Sequence, residues 1–194
     1  GYDHEGLERA EERFHTVALD ATDAEAVREV TAQVREQLGP IHGLIHCAGG
    51  FRWSKLEELS DQDLDFLLGA NLRSTLLMVR EVLGPMKEAG RGHIVLMSSK
   101  STLSPGVGEA AYTATKAGIN AIVEAVAAEV ADSAITINAL LPSVIDTPAN
   151  REAMPDEDFE AWLQREQRAE IMYALVTELG APINGALVPV AGRT

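Results

Sequence analysis

Short apolar runs alternate along this chain with longer stretches whose apolar positions recur at helical spacing. The run HTVAL (15–19) predicts a strand that ends at Asp20. Residues 23–38 place Ala26, Val27, Val30, Val34 and Leu38 on one helical face, and Gly39-Pro40 stops that helix. GLIHCAGG (43–50) predicts a buried strand running into small residues, and Ser60 a cap for a stretch that is helical through most of 61–90. HIVLMSS (93–99) is the next strand, followed by a Ser/Gly/Pro loop and an Ala-rich helix over 110–131. AITINALL (134–141) is a strand, 143–155 a polar segment, 156–178 a helix and GALVPV (185–190) a last strand. This alternation predicts an α/β fold, a mostly parallel sheet with helices on both faces. No internal repeat or interdomain linker divides residues 1–194, so a single domain is expected. In such sheets ligands bind beyond the carboxyl ends of the strands. Asp20, Ala48-Gly49-Gly50, Ser99 and the stretch from Pro142 to Thr147 all fall there.

Composition narrows the possibilities without choosing among them. A chain of 194 residues that is 46% hydrophobic can bury a real core and is too apolar for disorder. A net charge of −14 argues against a nucleic-acid surface, which needs clustered Lys and Arg. Cys47 is the only cysteine, so no intrachain disulfide can form and a reducing compartment fits. The charged N-terminal stretch GYDHEGLERAEERF predicts no signal peptide, and no apolar run approaches the ~20 residues of a membrane span. A soluble, cytoplasmic domain is the expectation.

The chemistry concentrates in a few positions. Tyr112 and Lys116 in YTATKAG are one helical turn apart and share a face. There the ammonium is expected to lower the phenol's pKa from about 10 and make it a proton donor and acceptor near neutral pH. A half-buried tyrosine beside a solvated lysine would give the same pattern. The serine ending the preceding strand, Ser99, and the small Ala114, Ala117 and Gly118 favour the catalytic reading. Gly49-Gly50 is either a turn or a place where backbone comes close to a cofactor. Asp20 either begins the next helix, for which Thr22 or Asp23 is better placed, or points at a ligand from the strand end. His42, His46 and Cys47 lack a metal-site spacing, and neighbours on a strand face opposite ways, so they are read as structural. Gly106-Val107-Gly108-Glu109-Ala110-Ala111 has the form GxGxxA, but a dinucleotide fingerprint must follow a strand directly. Pro105 and further loop residues intervene here, so this is a loop that fits a substrate pocket better.

Taken together, these residues resemble the short-chain dehydrogenase/reductase family, of classical type, over essentially the whole length. The matching pieces are Asp20, Cys47-Ala48-Gly49-Gly50, Asn71 in GANLRSTLL, Ser99, Tyr112 with Lys116, Pro142 with Thr147 in LLPSVIDTP, and the closing GALVPVAG. The resemblance implies a Rossmann-like doubly wound sheet and an NAD- or NADP-dependent oxidoreductase acting on a small carbonyl or alcohol substrate. It implies that Tyr112 exchanges the proton with the substrate oxygen, that Lys116 tunes Tyr112 and holds the nicotinamide ribose, that Ser99 orients the oxygen and that Asn71 anchors a water relay. Asp20 would meet the adenine, Ala48, Gly49 and Gly50 would back the adenosine ribose, and Pro142, Val144 or Ile145, and Thr147 would line the nicotinamide amide. There are departures: Pro142-Ser143 stands for the family's Pro-Gly, and Ala191-Gly192-Arg193 for its acid-glycine pair. The stretch DTPANREAMPDEDFEAW is similar to dihydropteridine reductases, which generally lack the serine found here at Ser99.

The family opens with a strand, a glycine-rich turn and a helix that have no counterpart in this sequence, so its first βαβ part is missing or incomplete. In a sheet of order 3-2-1-4-5-6-7 this predicts that the strand in GLIHCAGG (43–50) is an edge and that the strand at 15–19 lacks a partner. Residues outside the given sequence, a strand from a second chain, or a scaffold that folds without cofactor would each account for it. The last defines the alternative function, a non-catalytic scaffold or oligomerisation subunit. The apolar stripes of 61–89 and 110–131 are wider than one sheet contact requires; the resemblance implies that they form a homodimer or homotetramer, and a purely intrachain core is the alternative. Leu103 to Val107, Ser143, Met154, Phe159 and Trp162 are the expected pocket residues.

Overall fold

The computed structural model describes residues 15–192. The charged N-terminal stretch with His4, and Arg193, lie outside them. The chain forms β1 (Gly43–His46), β2 (Arg91–Met97), β3 (Ala134–Pro142) and β4 (Leu187–Val190), all parallel, in the order β1-β2-β3-β4. The helices are α1 (Ala24–Leu38), α2 (Asp61–Leu67), α3 (Ser74–Ala89), α4 (Ala110–Glu129), α5 (Pro148–Ala153) and α6 (Arg165–Leu175). Parallel strands need crossover helices, and the alternation of periods along the sequence supplies them.

The core forms two layers, one on each face of the sheet. Val79, Val82 and Met86 of α3 and Ile119, Val123 and Ala127 of α4 pack on Ile94, Leu96, Ile135 and Ile137. Met172 and Leu175 of α6 pack on Val95, Met97, Leu140 and Val190 on the other face. Strands β2 and β3 are covered on both sides, which is why they read as continuous apolar runs. Strand β1 alternates instead, with Leu44 and His46 buried and Ile45 exposed.

Among the described residues strand β1 is an edge, as the sheet order predicts. Residues 15–19, read from sequence as a strand, are not one; Val17 is exposed, and none of the four strands among the described residues lies beside this segment. An apolar run without a ladder partner stays irregular. Other bounds also shift. The polar segment 143–155 contains α5, capped at Thr147. The helix expected over 156–178 is divided into a short turn at Phe159–Ala161 and α6, because Trp162 and Leu163 are extended and Leu163 bridges to Ile145.

The stretch 61–90 is not one regular helix. Between α2 and α3, Leu68–Arg73 forms a wide π turn in which the Ser74 N–H bonds to the Gly69 carbonyl, five residues back. The Ser74 hydroxyl takes the Ala70 carbonyl (2.6 Å), and the Thr75 hydroxyl takes that of Asn71 (2.6 Å). Both carbonyls in the widened turn are thus satisfied by side chains.

Candidate active site

The carboxyl ends of β1 and β2, the π turn and the first turns of α4 converge on one spot. Asn71, fully buried, is the hub. Its Oδ1 accepts from Gly50 N (2.9 Å), while its Nδ2 donates to the Gly50 carbonyl (3.0 Å) and to Thr115 Oγ1 (3.0 Å). Thr115 spends its own proton on the Tyr112 carbonyl (2.7 Å) and so can only accept from Asn71. This chain of bonds fixes the orientation of the amide and ties the loop after β1 to the helix that carries Tyr112.

Glycine is required at 49 and 50 by close approach. A Cβ at Gly49 would stand 2.7 Å from Asn71 Oδ1 and 3.2 Å from Lys116 Nζ, and one at Gly50 would strike the Phe66 ring. Side chains of this protein therefore occupy the space that these glycines leave free.

Lys116 is buried, and its Nζ donates to the Met97 carbonyl (2.8 Å) at the end of β2. Burial pushes the ammonium down to about 8. Its α-helical neighbourhood is fixed in turn by Ser98, whose hydroxyl donates to the Lys116 carbonyl (3.1 Å).

Ser99 Oγ accepts from Ser101 N (3.2 Å) and Ser101 Oγ (2.9 Å). With its acceptor capacity used, the Ser99 hydroxyl is left as a donor. It reaches the Tyr112 phenol and draws that pKa down, but burial outweighs it, and Glu109 adds in the same direction as burial. The phenol therefore lies above its ordinary value. The expected dominance of Lys116 over Tyr112 is corrected here: the ammonium sits 5.9 Å from the phenol ring centroid and is directed at Met97, while desolvation controls the phenol.

The remaining predicted residues are dispersed over neighbouring loops. Asp20 accepts from Thr22 N (2.8 Å) and Thr22 Oγ1 (2.7 Å), and these local bonds hold its carboxyl below the usual range. Asp23, not Asp20, caps α1. The Thr22 carbonyl accepts from Arg73 Nε (2.9 Å), which fastens this loop to the π turn. Ala48 is exposed beside Gly49. Pro142 ends β3 and is buried, Val144 is exposed, Ile145 bridges to Leu163, and Thr147 Oγ1 accepts from Asn150 N (3.2 Å).

Phe159 and Trp162 do not join the Tyr112 cluster. They line a separate hollow of about 740 Å³ with Asp146, Arg151, Gln164, Gln167 and Gly192, in which Arg151 pairs with Asp146 (2.6 Å) and stacks over Phe159. Phe51 takes the place at Tyr112 instead, its ring edge-on at 4.9 Å and 83°. Sequence reading missed Phe51 and Thr115. Thr115 lies three residues after Tyr112 on the same helix face, a signal that was available, whereas the path of Phe51 is set by the turn after Gly50.

His46 faces the same cluster from beneath. Because Ser74 gives its proton to the Ala70 carbonyl, His46 Nε2 must donate to Ser74 Oγ (3.2 Å), which places a hydrogen on Nε2. Burial, then the Lys116 charge, holds it down at about 4.

This arrangement has known relatives. Residues 4–158 match the family model described as short chain dehydrogenase, and the chain belongs to that family. It is 32% identical over 163 residues to gluconate 5-dehydrogenase of Gluconobacter oxydans (strain 621H), a match that covers 84% of this chain and 62% of that protein. It is 31% identical over 185 residues to the 3-oxoacyl-[acyl-carrier-protein] reductase FabG of Pseudomonas aeruginosa, covering 91% of this chain and 74% of the reductase. Among solved structures, that of ElxO with NADP bound superposes with a TM-score of 0.88 at 25% identity, over 98% of this chain and 84% of ElxO. Levodione reductase shares the fold, with a TM-score of 0.86 at 23% identity. The chain thus spans less than two thirds of the length of the gluconate dehydrogenase. Among the described residues, no helix is long and apolar enough to cross a membrane.

Proposed function

We propose that this protein is an NAD- or NADP-dependent oxidoreductase that interconverts a carbonyl and an alcohol, with Tyr112 as the proton donor and acceptor. The observation that carries this reading is the convergence of Asn71, Ser99, Tyr112 and Lys116 at the strand ends. The donors present fit a nicotinamide dinucleotide. Lys116 Nζ, buried, spends one of its three protons on the Met97 carbonyl and keeps two for a ligand. That suits the diol of a ribose. Asp20, Ala48, Gly49, Gly50, Pro142, Val144, Ile145 and Thr147 are assigned to the same cofactor on the strength of the resemblance. When bound, the nicotinamide supplies or takes up the hydride.

The protein's own part is to hold a proton at the substrate oxygen. Ser99, left as a donor by its two bonds from Ser101, offers its hydrogen to that oxygen and fixes where it sits. Tyr112, held protonated by burial, delivers its proton there in the reductive direction and takes it back in the oxidative one. Lys116, with a pKa near 8, exchanges protons around neutral pH and can return one to the phenolate. Asn71 and Thr115 keep Tyr112 in place through its carbonyl.

Titrating the protein with NADH and NADPH while following nicotinamide fluorescence tests the reading. Saturable enhancement with either supports it, and none with both refutes it in favour of a cofactor-free scaffold. The exposed outer positions of α2, the π turn and α3, with Leu64, Phe66, Leu68 and Leu76, suit a homodimer or homotetramer. Sedimentation as a monomer at micromolar concentration would refute that assembly.

A further inference from the structure

The mouth over Tyr112 is built by two loops that lock into each other. The loop after β1 sends Phe51 against the Tyr112 ring and Trp53 across to the loop before α4, where the indole N–H donates to the Val107 carbonyl (2.9 Å). Ser54 N bonds to the Gly108 carbonyl (3.0 Å), and the indole lies on Gly108, where a side chain would collide with it. Glycine is required at 108 twice over, since its φ is +79°. The rim so formed is apolar and open. Phe51, Trp53, Leu103 and Val107 are between 48% and 78% exposed, so large hydrophobic groups stand in water beside a half-buried proton donor.

The rim also carries a sign. Glu109 precedes α4, three residues before Tyr112, and its carboxylate is turned back to accept from Gly106 N (2.8 Å). Its negative charge is felt at the phenol. Arg52, the cation nearest in sequence to Phe51, is committed elsewhere: its Nε meets Asp63 (3.1 Å) and its guanidinium stacks on Phe66 at 4.0 Å. A carboxylate or phosphate brought to this rim meets Glu109 and two aromatic rings, while the Lys116 ammonium near Tyr112 is buried and turned to the Met97 carbonyl.

We propose that the mouth selects an uncharged, ring-bearing ketone or secondary alcohol. The Phe51 and Trp53 rings hold its apolar body, and Glu109 turns away anionic substrates. This rests on Tyr112 being the group that serves the substrate oxygen. It places the chain's substrate in a different chemical class from gluconate, the acid in the name of one relative.

A matched pair of probes isolates the charge: methyl 4-acetylbenzoate and 4-acetylbenzoate have the same ketone and ring. Reduction of each with NADH and NADPH should favour the ester by about tenfold in kcat/KM, the ratio for modest like-charge repulsion near a protein surface. Glu109→Gln keeps an acceptor for Gly106 N and removes the charge. It should bring the ratio toward unity by raising the value for the acid. Phe51→Ala and Trp53→Ala should lower the value for the ester. Equal use of the two probes by the native protein, or an unmoved ratio in Glu109→Gln, overturns the proposal. Binding of both probes, followed by Trp53 emission with Trp53→Phe separating it from Trp162, gives the same comparison without turnover. Tighter binding of the ester supports the proposal, while equal binding or no binding of either overturns it. Failure to bind NADH and NADPH would instead overturn the oxidoreductase reading and leave this binding comparison standing.

Discussion

Replacing Asn71 by alanine should test the hub of the site through stability, independently of any substrate. The side chain makes three hydrogen bonds, to both backbone groups of Gly50 and to Thr115, and is fully buried. Truncation strands Gly50 N, the Gly50 carbonyl and an acceptor site on Thr115 in a place that water reaches poorly. At roughly 1 kcal/mol for each lost bond, the expected destabilisation is about 3 kcal/mol. That is a large share of the ~5–15 kcal/mol of a typical domain. Urea unfolding followed by circular dichroism should show the midpoint falling by about 1–2 M at an unchanged slope. Thr115→Val removes one of the three bonds together with the Thr115 bond to the Tyr112 carbonyl and should cost about 2 kcal/mol. The double variant should then cost less than the sum, because the two changes delete the same bond. An Asn71→Ala loss below about 1 kcal/mol would mean that the amide is not what joins the β1 loop to α4.

Three further outcomes follow from the buried titratable groups. His46 is held neutral when folded, near 4, and takes up a proton near 6.5 when unfolded, so the unfolded state binds more protons between those values and stability falls as pH drops through them. His46→Gln, which can still donate to Ser74, should lose about 2 kcal/mol less than the native protein between pH 7.5 and pH 5; parallel acid limbs would show the imidazole to be solvated. Lys116 is pushed down to about 8 from 10.5, so the unfolded state again binds more protons above pH 8, and stability there rises with pH. The native protein should gain about 2–3 kcal/mol on Lys116→Met between pH 8 and pH 10, and Tyr112, present in both proteins, cancels from that difference. A constant difference across that range would place the ammonium in water. Desolvation of the sulphur, which lies 3.7 Å from Met172 Sδ, raises the Cys47 thiol although the residue as a whole is exposed, so iodoacetamide should label it slowly at neutral pH and faster as pH passes 9.0; rapid labelling at pH 7 would contradict this.

Periodicity located the four strands and the long helices α1, α3 and α4 because each follows from a pattern of burial, though not α5, and Asp23, Ser60 and Gly90 end helices in ways local chemistry dictates. The run 15–19 failed for the opposite reason. A strand is defined by its neighbour, and no residue within HTVAL states whether a neighbour is present. Tyr112, Lys116, Ser99 and Asn71 were legible because their spacing relative to strand ends is a sequence property. Their electrostatics were not. The one-turn spacing of Tyr112 and Lys116 suggests a direct pair, but only the fold shows the ammonium turned to the Met97 carbonyl and desolvation governing the phenol. Phe159 and Phe51 exchanged roles likewise, since which loop folds over a strand end depends on contacts such as Trp53 with Val107.

The wide turn at Leu68–Arg73 amounts to one surplus residue threaded into an otherwise continuous helical rod. Deleting a residue there would restore ordinary winding and leave the two rods close to their present phase, because the wide turn spends one more residue on the same revolution. Leu67 would keep its place in the core, and Phe66 its place against Gly50 and the Arg52 guanidinium. The loss would fall inside the turn, on Asn71, whose amide grips both backbone groups of Gly50, and on the Ala70 and Asn71 carbonyls that Ser74 and Thr75 now satisfy. The surplus residue therefore leaves the faces of both rods alone and sets only the bearing of the amide between them.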